Sequence, residues 1–105
     1  MRIEECFGVG KLTLSLHGEL DHHAAGHVSR EIERAADEHL PVSCVLDLSG
    51  VSFMDSSGIA VIIKARRRAD ELGASLRVVG VGRQPGRVLA AAGIGRIIDI
   101  EASRE

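Results

Sequence analysis

Hydrophobic and polar residues alternate with two different periods along this 105-residue chain. Residues 11–17 alternate apolar and polar side chains, which is the period of a strand with one buried face. Residues 3–7 form a weaker strand before a turn at 8–10, so these two strands are expected to pair as a hairpin. Short, mainly apolar runs predict three further strands, at 45–48, 75–79 and 96–100.

Three segments carry the helical period instead. The first is predicted over 22–39, with Asp21 as its N-cap and Pro41 preventing its continuation. The second begins around Gly58 and ends at Gly73. Its predicted buried stripe consists of Ile59, Ile62, Ile63, Ala65, Ala69 and Leu72. A short third helix is predicted over 85–92, followed by a turn at Gly93.

The order of these elements predicts the fold class. Strands separated by helices favour right-handed parallel crossovers. We therefore predict one α/β domain over 1–105, a mixed β-sheet with an N-terminal antiparallel hairpin at its edge and helices crossing over between parallel strands. Parallel strands bring the loops at their carboxyl ends to one rim. That rim should contain 18–21, 53–58 and 80–85. Ser49-Gly50, which follows the apolar run 45–48, is expected to end the central strand.

Composition narrows the class of protein. Hydrophobic residues make up 45% and charged residues 27%, which is typical of a globular domain. Aromatic residues make up only 2%, so the core must be aliphatic. This low content argues weakly against binding of single-stranded nucleic acid, whose bases usually stack on aromatic side chains. With a net charge of −2, the domain as a whole has no positive field that would attract nucleic acid or an anionic membrane. The basic run of Lys64, Arg66, Arg67 and Arg68 is interpreted as a solvated helix face.

Sites for metals and disulfides are not indicated. Cys6 and Cys44 are too few and too far apart for a zinc site or a disulfide framework, and both are expected to be inert in strands. The histidines show no ligand spacing, so we expect neither a metal nor a cofactor. The N-terminus lacks the apolar core of a signal peptide, and no apolar run is long enough for a membrane span. A cytoplasmic location is the simplest expectation.

The turn at 54–58, Met-Asp-Ser-Ser-Gly, carries the candidate chemistry. Asp55, Ser56 and Ser57 lie where a helix begins, and short oxygen-bearing side chains there cap unpaired backbone N–H groups. Because one cap needs only one residue, at least one hydroxyl is left to face solvent or a partner. Phe53 and Met54 are expected to turn toward the core above it. Capping and partner binding both remain open on this reasoning.

A family resemblance is carried by two stretches: residues 18–25, Gly-Glu-Leu-Asp-His-His-Ala-Ala, and residues 47–58, Asp-Leu-Ser-Gly-Val-Ser-Phe-Met-Asp-Ser-Ser-Gly. Both resemble the STAS-domain anti-sigma factor antagonists of bacteria. The first stretch is most similar to the sporulation branch, the SpoIIAA type. The likeness covers nearly the whole chain in element order. Many members of this family continue into a further C-terminal helix, for which 101–105 leaves no room.

This resemblance implies a regulatory switch and not an enzyme. An unphosphorylated antagonist of this kind binds an anti-sigma factor that is also a serine kinase, which frees a sigma factor. The kinase then phosphorylates the antagonist, and a serine phosphatase reverses the modification. Carried over to this chain, the phosphorylated residue is Ser56. The implied partner-binding surface consists of Asp21, His22, Asp55, Ser56, Ser57 and Gly58.

Two alternatives of other classes deserve comparison. A small serine hydrolase would use Ser56 or Ser57 with His22 or His23, although the turn has only one of the two glycines of a nucleophile elbow. A nucleotide-binding module would use the loop 80–86, with Asp99 at the next strand end, which is a weak match to the dinucleotide fingerprint. Bound-cofactor absorbance and activity toward activated esters would distinguish these alternatives.

Overall fold

The alternating residues at the start of the chain form an antiparallel hairpin in the computed structural model, which describes residues 1–103. Its elements are β1 (Arg2–Gly8), β2 (Lys11–Leu20), α1 (His22–His39), β3 (Ser43–Met54), α2 (Ser56–Glu71), β4 (Ser75–Val81), α3 (Arg83–Ala91), a single turn of 3₁₀-helix (Ile94–Arg96) and β5 (Asp99–Ala102). The predicted order of strands and helices is confirmed.

The five described strands form one sheet in the order β1-β2-β3-β4-β5. β1 is antiparallel to β2, and the other neighbours are parallel. One row of paired residues crosses the parallel part of the sheet, from Leu14 through Leu46 and Val78 to Ile100. The first three of these side chains are fully buried, because α1 and α2 cover this side of the sheet. The predicted mixed α/β fold with an antiparallel edge is therefore confirmed.

Helix α1 matches its prediction at both ends. Asp21 is its N-cap, and Leu40 ends it with a left-handed backbone (φ 47°) directly before Pro41. Its buried residues recur at helical spacing, namely Val28, Ser29, Ile32, Ala35 and Ala36. No helix of the described chain is both long and apolar enough to cross a membrane.

The predicted end of the central strand at Ser49-Gly50 is wrong. β3 continues to Met54, because β2 offers it a partner as far as Leu20. Two register shifts in the β2–β3 pairing absorb the irregularity. Gly50 is needed for a different reason: a Cβ atom there would lie 2.3 Å from Nδ1 of His17 and 2.8 Å from the carbonyl oxygen of Leu16. The glycine allows close approach of two strands and does not form a turn.

The C-terminal boundaries also differ from the sequence prediction. β4 continues to Val81, with Gly80 at φ +67°, and α3 begins at Arg83. The bounds predicted for the last strand, 96–100, are wrong, since residues 94–96 form the 3₁₀ turn and the strand begins at Asp99. Ile94 and Ile98 are buried, so they anchor this connection under the core and do not extend a strand. Residues 101–102 of the polar C-terminal tail lie in β5, and 104–105 lie outside the described residues.

In α2 the predicted buried stripe is partly wrong. Ile62, Ala65 and Ala69 are buried as expected, but Val61 is buried as well, and Ile63 faces outward. The helix ends at Glu71, and Gly73 follows with φ +72°, as its sequence position predicts.

The edge strand β1 is attached to the end of α1 by an ionic cluster. Oε1 of Glu5 accepts from Arg34 at 2.6 Å, and Oε2 lies 2.7 Å from Nε2 of His39. Arg34 also contacts Glu38, and the ring of Phe7 stacks on His39 with centroids 4.5 Å apart. The contacts with His39 and then Arg34 hold the pKa of Glu5 below its usual value of 4.5.

Glu5→Gln is expected to lower the free energy of unfolding at pH 7 by about 0.5–1 kcal/mol, the range for solvent-screened ion pairs. Because the folded pKa of Glu5 is depressed, its contribution is present above the unfolded pKa and is lost as the pH falls through the lower folded value. Urea titrations between pH 7 and pH 3 should therefore show a smaller loss of stability in the variant. Glu33→Gln is the control, since Glu33 makes no ion pair within residues 1–103. A variant as stable and as acid-sensitive as wild type would contradict this attribution.

Candidate functional site

The ends of β2 and β3 and the start of α3 meet at one rim, as predicted for 18–21, 53–58 and 80–85. Leu20 pairs with Met54 in register, and the backbone N–H of Asp55 points at the carbonyl of Leu20 at 3.4 Å. On the other side, the side chain of Gln84 in α3 hydrogen-bonds to the backbone of Met54. Residues separated by about 30 positions in sequence therefore surround the start of α2.

Asp55 joins the N-termini of two helices. Its Oδ1 accepts from the backbone N–H of Ser57 at 2.8 Å, which makes Asp55 the N-cap of α2. Its Oδ2 accepts from the backbone N–H of His22, the first residue of α1, at 3.2 Å. A carboxylate is favoured at this point because both helix dipoles present their positive ends to it. Asp55 thus fixes the position of α1 relative to α2 at the rim.

Asp21 caps α1, as the sequence predicts. Its Oδ1 accepts from the backbone N–H groups of His23 and Ala24 at 3.0 and 3.1 Å. The half-buried Asp21 also lines a cleft of about 620 Å³ between the end of β2 and the first turns of α1. Glu19, His23 and His27 line the same cleft. These side chains are polar, and the cleft is open to solvent.

The three residues that follow Asp55 differ in exposure. Ser56 is exposed at the first position of α2, and Ser57 is half-buried beside a groove between α1 and α2. Gly58 is buried, and a Cβ atom there would lie 2.5 Å from Cγ of Met54. Met54 is fully buried, so the turn requires a glycine where it passes over this side chain. Of the two serines of this turn, Ser56 is the exposed one.

One expectation about this turn is wrong. Met54 is buried, but Phe53 is 42% exposed and does not turn toward the core. Both residues belong to β3, and neighbouring residues of a strand point to opposite faces. An exposed aromatic ring consequently stands next to Asp55 and Ser56 in the chain.

Gln84 is a positioning residue that the sequence did not reveal. Its Oε1 accepts from the N–H of Met54, and its Nε2 donates to the carbonyl of Met54, both at 2.8 Å. This pair of bonds replaces the strand partner that the last residue of β3 lacks on the β4 side. The sequence shows Gln84 only as a polar residue before Pro85, and no local pattern marks a side chain that bonds to a backbone 30 residues away.

Gln84→Ala is expected to lower the free energy of unfolding by about 2 kcal/mol, because it leaves two buried backbone groups of Met54 without partners. Amide exchange at Met54, Asp55 and Ser56 should accelerate as the start of α2 loosens. Denaturant titration and hydrogen exchange measure the two effects. Arg83→Ala, at an exposed neighbouring position of α3, should change neither; equal behaviour of the two variants would remove Gln84 from this role.

The arrangement does not favour the two alternative functions. In the described chain no histidine nitrogen hydrogen-bonds to Ser56 or Ser57, so a nucleophile and its base are not brought together. For the nucleotide-binding alternative, Asp99 lies at the beginning of β5 and not at its carboxyl end. It pairs with Arg77, away from the loop that begins α3, so the fingerprint is not formed.

Among the described residues, three or more potential metal ligands lie together only where β1 meets the end of α1. Glu5, Glu38 and His39 offer ligand atoms within 4.8 Å of one another, but both carboxylates already form ion pairs with Arg34. The two cysteines are unpaired. Burial raises the pKa of the Cys44 thiol, whereas Cys6 is exposed on β1.

Comparisons with known proteins agree with this geometry. The STAS domain model matches residues 2–105. An anti-sigma F factor antagonist of Paenibacillus polymyxa is 33% identical over 91 residues, which cover 87% of this chain and 78% of that protein. The crystal structure of an anti-sigma factor antagonist from Mycobacterium paratuberculosis superimposes with a TM-score of 0.86 at 21% identity, covering 95% of this chain and 84% of that one.

The phosphorylated form of the Bacillus cell fate determinant SpoIIAA superimposes with a TM-score of 0.72 at 21% identity, covering 94% of this chain and 90% of that one. At such identities, the two structures establish a common fold. The family model covers nearly every residue, and the curated relative extends the match at the level of sequence. The chain therefore belongs to the STAS domain family, in which its relatives are anti-sigma factor antagonists.

Proposed function

We infer that this protein is an anti-sigma factor antagonist controlled by phosphorylation of Ser56. In its unphosphorylated form it binds an anti-sigma factor with serine kinase activity, and a sigma factor is released. The kinase modifies Ser56, and a serine phosphatase restores the active form. The observation that carries this proposal is the exposed hydroxyl of Ser56 at the first position of α2, directly after the Asp55 that joins both helices.

Phosphorylation would change the charge of this surface without a change of fold. A phosphate adds about −1.5 to −2 charges and three strong acceptors next to Asp55. The N-terminus of α2 tolerates an anion, and Ser56 is exposed, so a phosphate on it can extend into solvent. A partner surface complementary to a neutral hydroxyl would instead meet a repulsive, unpaired charge. Loss of such a contact costs about 2–5 kcal/mol, equivalent to roughly 30- to 5000-fold in affinity.

The function is tested by release of a sigma factor. The name of the Paenibacillus relative makes the anti-sigma F factor the first partner to assay. A preformed complex of this anti-sigma factor with its fluorescently labelled sigma factor should dissociate when the unmodified chain is added with nucleotide. Enzymatically phosphorylated chain should leave the complex intact. If unmodified chain neither binds the anti-sigma factor nor releases the sigma factor, the proposal is wrong for that partner pair.

The proposed partner surface extends from Ser56 to the start of α1. It contains Asp21, His22, Asp55, Ser56, Ser57 and Gly58, and the hydrogen bond from His22 to Asp55 supports this grouping. Ser57 and Gly58 contribute through the backbone of the first turn of α2. The location that this function requires is the cytoplasm, where sigma factors act. Direct nucleic-acid or membrane binding is not part of the proposal.

Asp21→Asn separates capping from recognition. Asparagine caps a helix about as well as aspartate, so the melting temperature should remain close to that of wild type. If the carboxylate of Asp21 contributes its charge to the partner surface, affinity for the anti-sigma factor should fall by about threefold to tenfold, which corresponds to a surface charge contact. Calorimetric titration measures this loss, and Glu33→Gln is the control for removal of a carboxylate from α1. Unchanged affinity and phosphorylation would restrict Asp21 to capping.

A further inference from the structure

Positive charge is concentrated in the second half of the chain. Residues 56–98 contain eight Lys or Arg and two Asp or Glu, whereas residues 1–55 contain four and ten. Arg68 and Arg77 are neutralised by carboxylates of α1, α2 and β5. The cations of 56–98 that have no carboxylate partner within residues 1–103 are Lys64, Arg67, Arg83, Arg87 and Arg96. They lie on α2, α3 and the 3₁₀ turn. Helix α2 contacts α3, and α3 contacts the 3₁₀ turn.

A groove with two exposed isoleucines lies on this basic side. Ile63 of α2 is 36% exposed and Ile97, just after the 3₁₀ turn, is 45% exposed. Together they line a groove of about 210 Å³ with Arg66, Arg67 and Asp70. Asp70, a carboxylate in the lining, approaches Arg66 at 3.7 Å, and Arg67 has no carboxylate partner within residues 1–103. Two branched apolar side chains are thus exposed between guanidinium groups.

The groove is separate from the phosphorylatable surface but lies on the same side of α2. Ile63 follows Ser56 by two helical turns, which is roughly 10 Å along the helix axis. A partner that contacts only the first turn of α2 would not cover it. The residues that line the groove include neither Ser56 nor any other residue of the proposed partner surface.

We propose that this groove binds an acidic amphipathic segment of a protein partner. Leucine or isoleucine side chains of the segment pack on Ile63 and Ile97, and its carboxylates pair with Arg66 and Arg67. Charge complementarity selects an acidic occupant. The exposed isoleucines select a protein segment over nucleic acid, because a phosphate backbone gains nothing from apolar contacts.

The test uses the folded chain and a synthetic peptide. The probe is an acidic helix of about 14 residues with leucines at i, i+3 and i+4 and glutamates elsewhere, titrated into ¹⁵N-labelled protein. Amide shifts should change at Ile63, Arg67 and Ile97, with a dissociation constant below about 1 mM. Arg67→Glu should weaken binding at least fivefold, and Ile63→Ser should weaken it similarly. Arg30→Glu, an exposed arginine of α1, should bind within twofold of wild type.

Three control titrations test whether the groove selects an acidic amphipathic segment. A peptide with lysine in place of glutamate should not bind, and neither should a glutamate–glycine peptide without leucines. Binding of either with equal affinity would overturn the proposal. A short DNA duplex that binds the same residues more tightly than the acidic peptide would identify a nucleic-acid surface instead. Absence of shifts in the groove at about 1 mM acidic peptide would equally refute it.

Discussion

Ser56→Asp is expected to bind the anti-sigma factor roughly 30-fold or more weakly than wild type, while it folds with unchanged or slightly higher stability. The aspartate places a permanent negative charge where the proposed partner meets an uncharged hydroxyl, which costs about 2 kcal/mol or more. At the first position of α2 the same charge interacts favourably with the helix dipole. Opposite effects on binding and on folding are the signature of a switch that acts through surface charge. Calorimetric titration and thermal unfolding measure the two quantities.

Ser56→Ala separates the hydroxyl from the charge. It should retain most of the affinity for the anti-sigma factor, because it removes one neutral contact and introduces no charge. Ser57→Asp is the positional control: Ser57 is half-buried beside α1, so the loss should fall on stability more than on binding. Equal binding by Ser56→Asp and Ser56→Ala would contradict electrostatic exclusion of the partner.

Gly50→Ala is expected to destabilise the fold by about 3 kcal/mol, the upper end of the usual range for overpacking. The new methyl group would lie 2.3 Å from Nδ1 of His17 and 2.8 Å from the carbonyl oxygen of Leu16. The imidazole can rotate away, but the backbone oxygen lies in β2 at the register shift between Ser15 and His17, where Leu16 is also paired with Ile3 of β1, so its displacement would disturb the sheet. Chemical denaturation should therefore show a much lower midpoint than that of wild type.

Gly8→Ala is the matched control for this substitution. A Cβ atom at Gly8 meets nothing within 4 Å, and the residue also lies in a strand, so stability should change by less than about 0.5 kcal/mol. Adding His17→Ala to Gly50→Ala should restore only part of the loss, since the contact with Leu16 remains. Full restoration would show that the imidazole alone is responsible, and no loss in the single variant would refute the close approach of the strands.

The fold was predictable where the period of the side chains reports local structure. The prediction of helix α1 was correct at both ends, because Asp21 and Pro41 act on their immediate neighbours. Boundaries that depend on a distant partner were not predictable. β3 passes through Ser49 and Gly50 because β2 lies beside it, and 94–98 do not form a strand because Ile94 and Ile98 are drawn into the core.

In the candidate site, too, the features set by local sequence were predictable and those set by distant contacts were not. The capping side chains Asp21 and Asp55 and the exposed Ser56 follow from the chemistry of a helix N-terminus, which is local. The hydrogen bond from His22 to Asp55 and the support that Gln84 gives to Met54 depend on contacts across more than 29 residues. A single sequence contains no period or spacing that reports such contacts. The sequence therefore indicated the residues of the turn but not the residues that hold it in place.

The proposed switch is tested most directly by identifying the residue that the kinase modifies. Purified chain incubated with the anti-sigma kinase of its own organism and ATP, digested and analysed by tandem mass spectrometry, gives that answer in one measurement. We expect a single phosphate, located on Ser56, and no label on the Ser56→Ala variant. Phosphate on Ser57 or Ser52, or no phosphate on a chain that binds the kinase, would contradict the account.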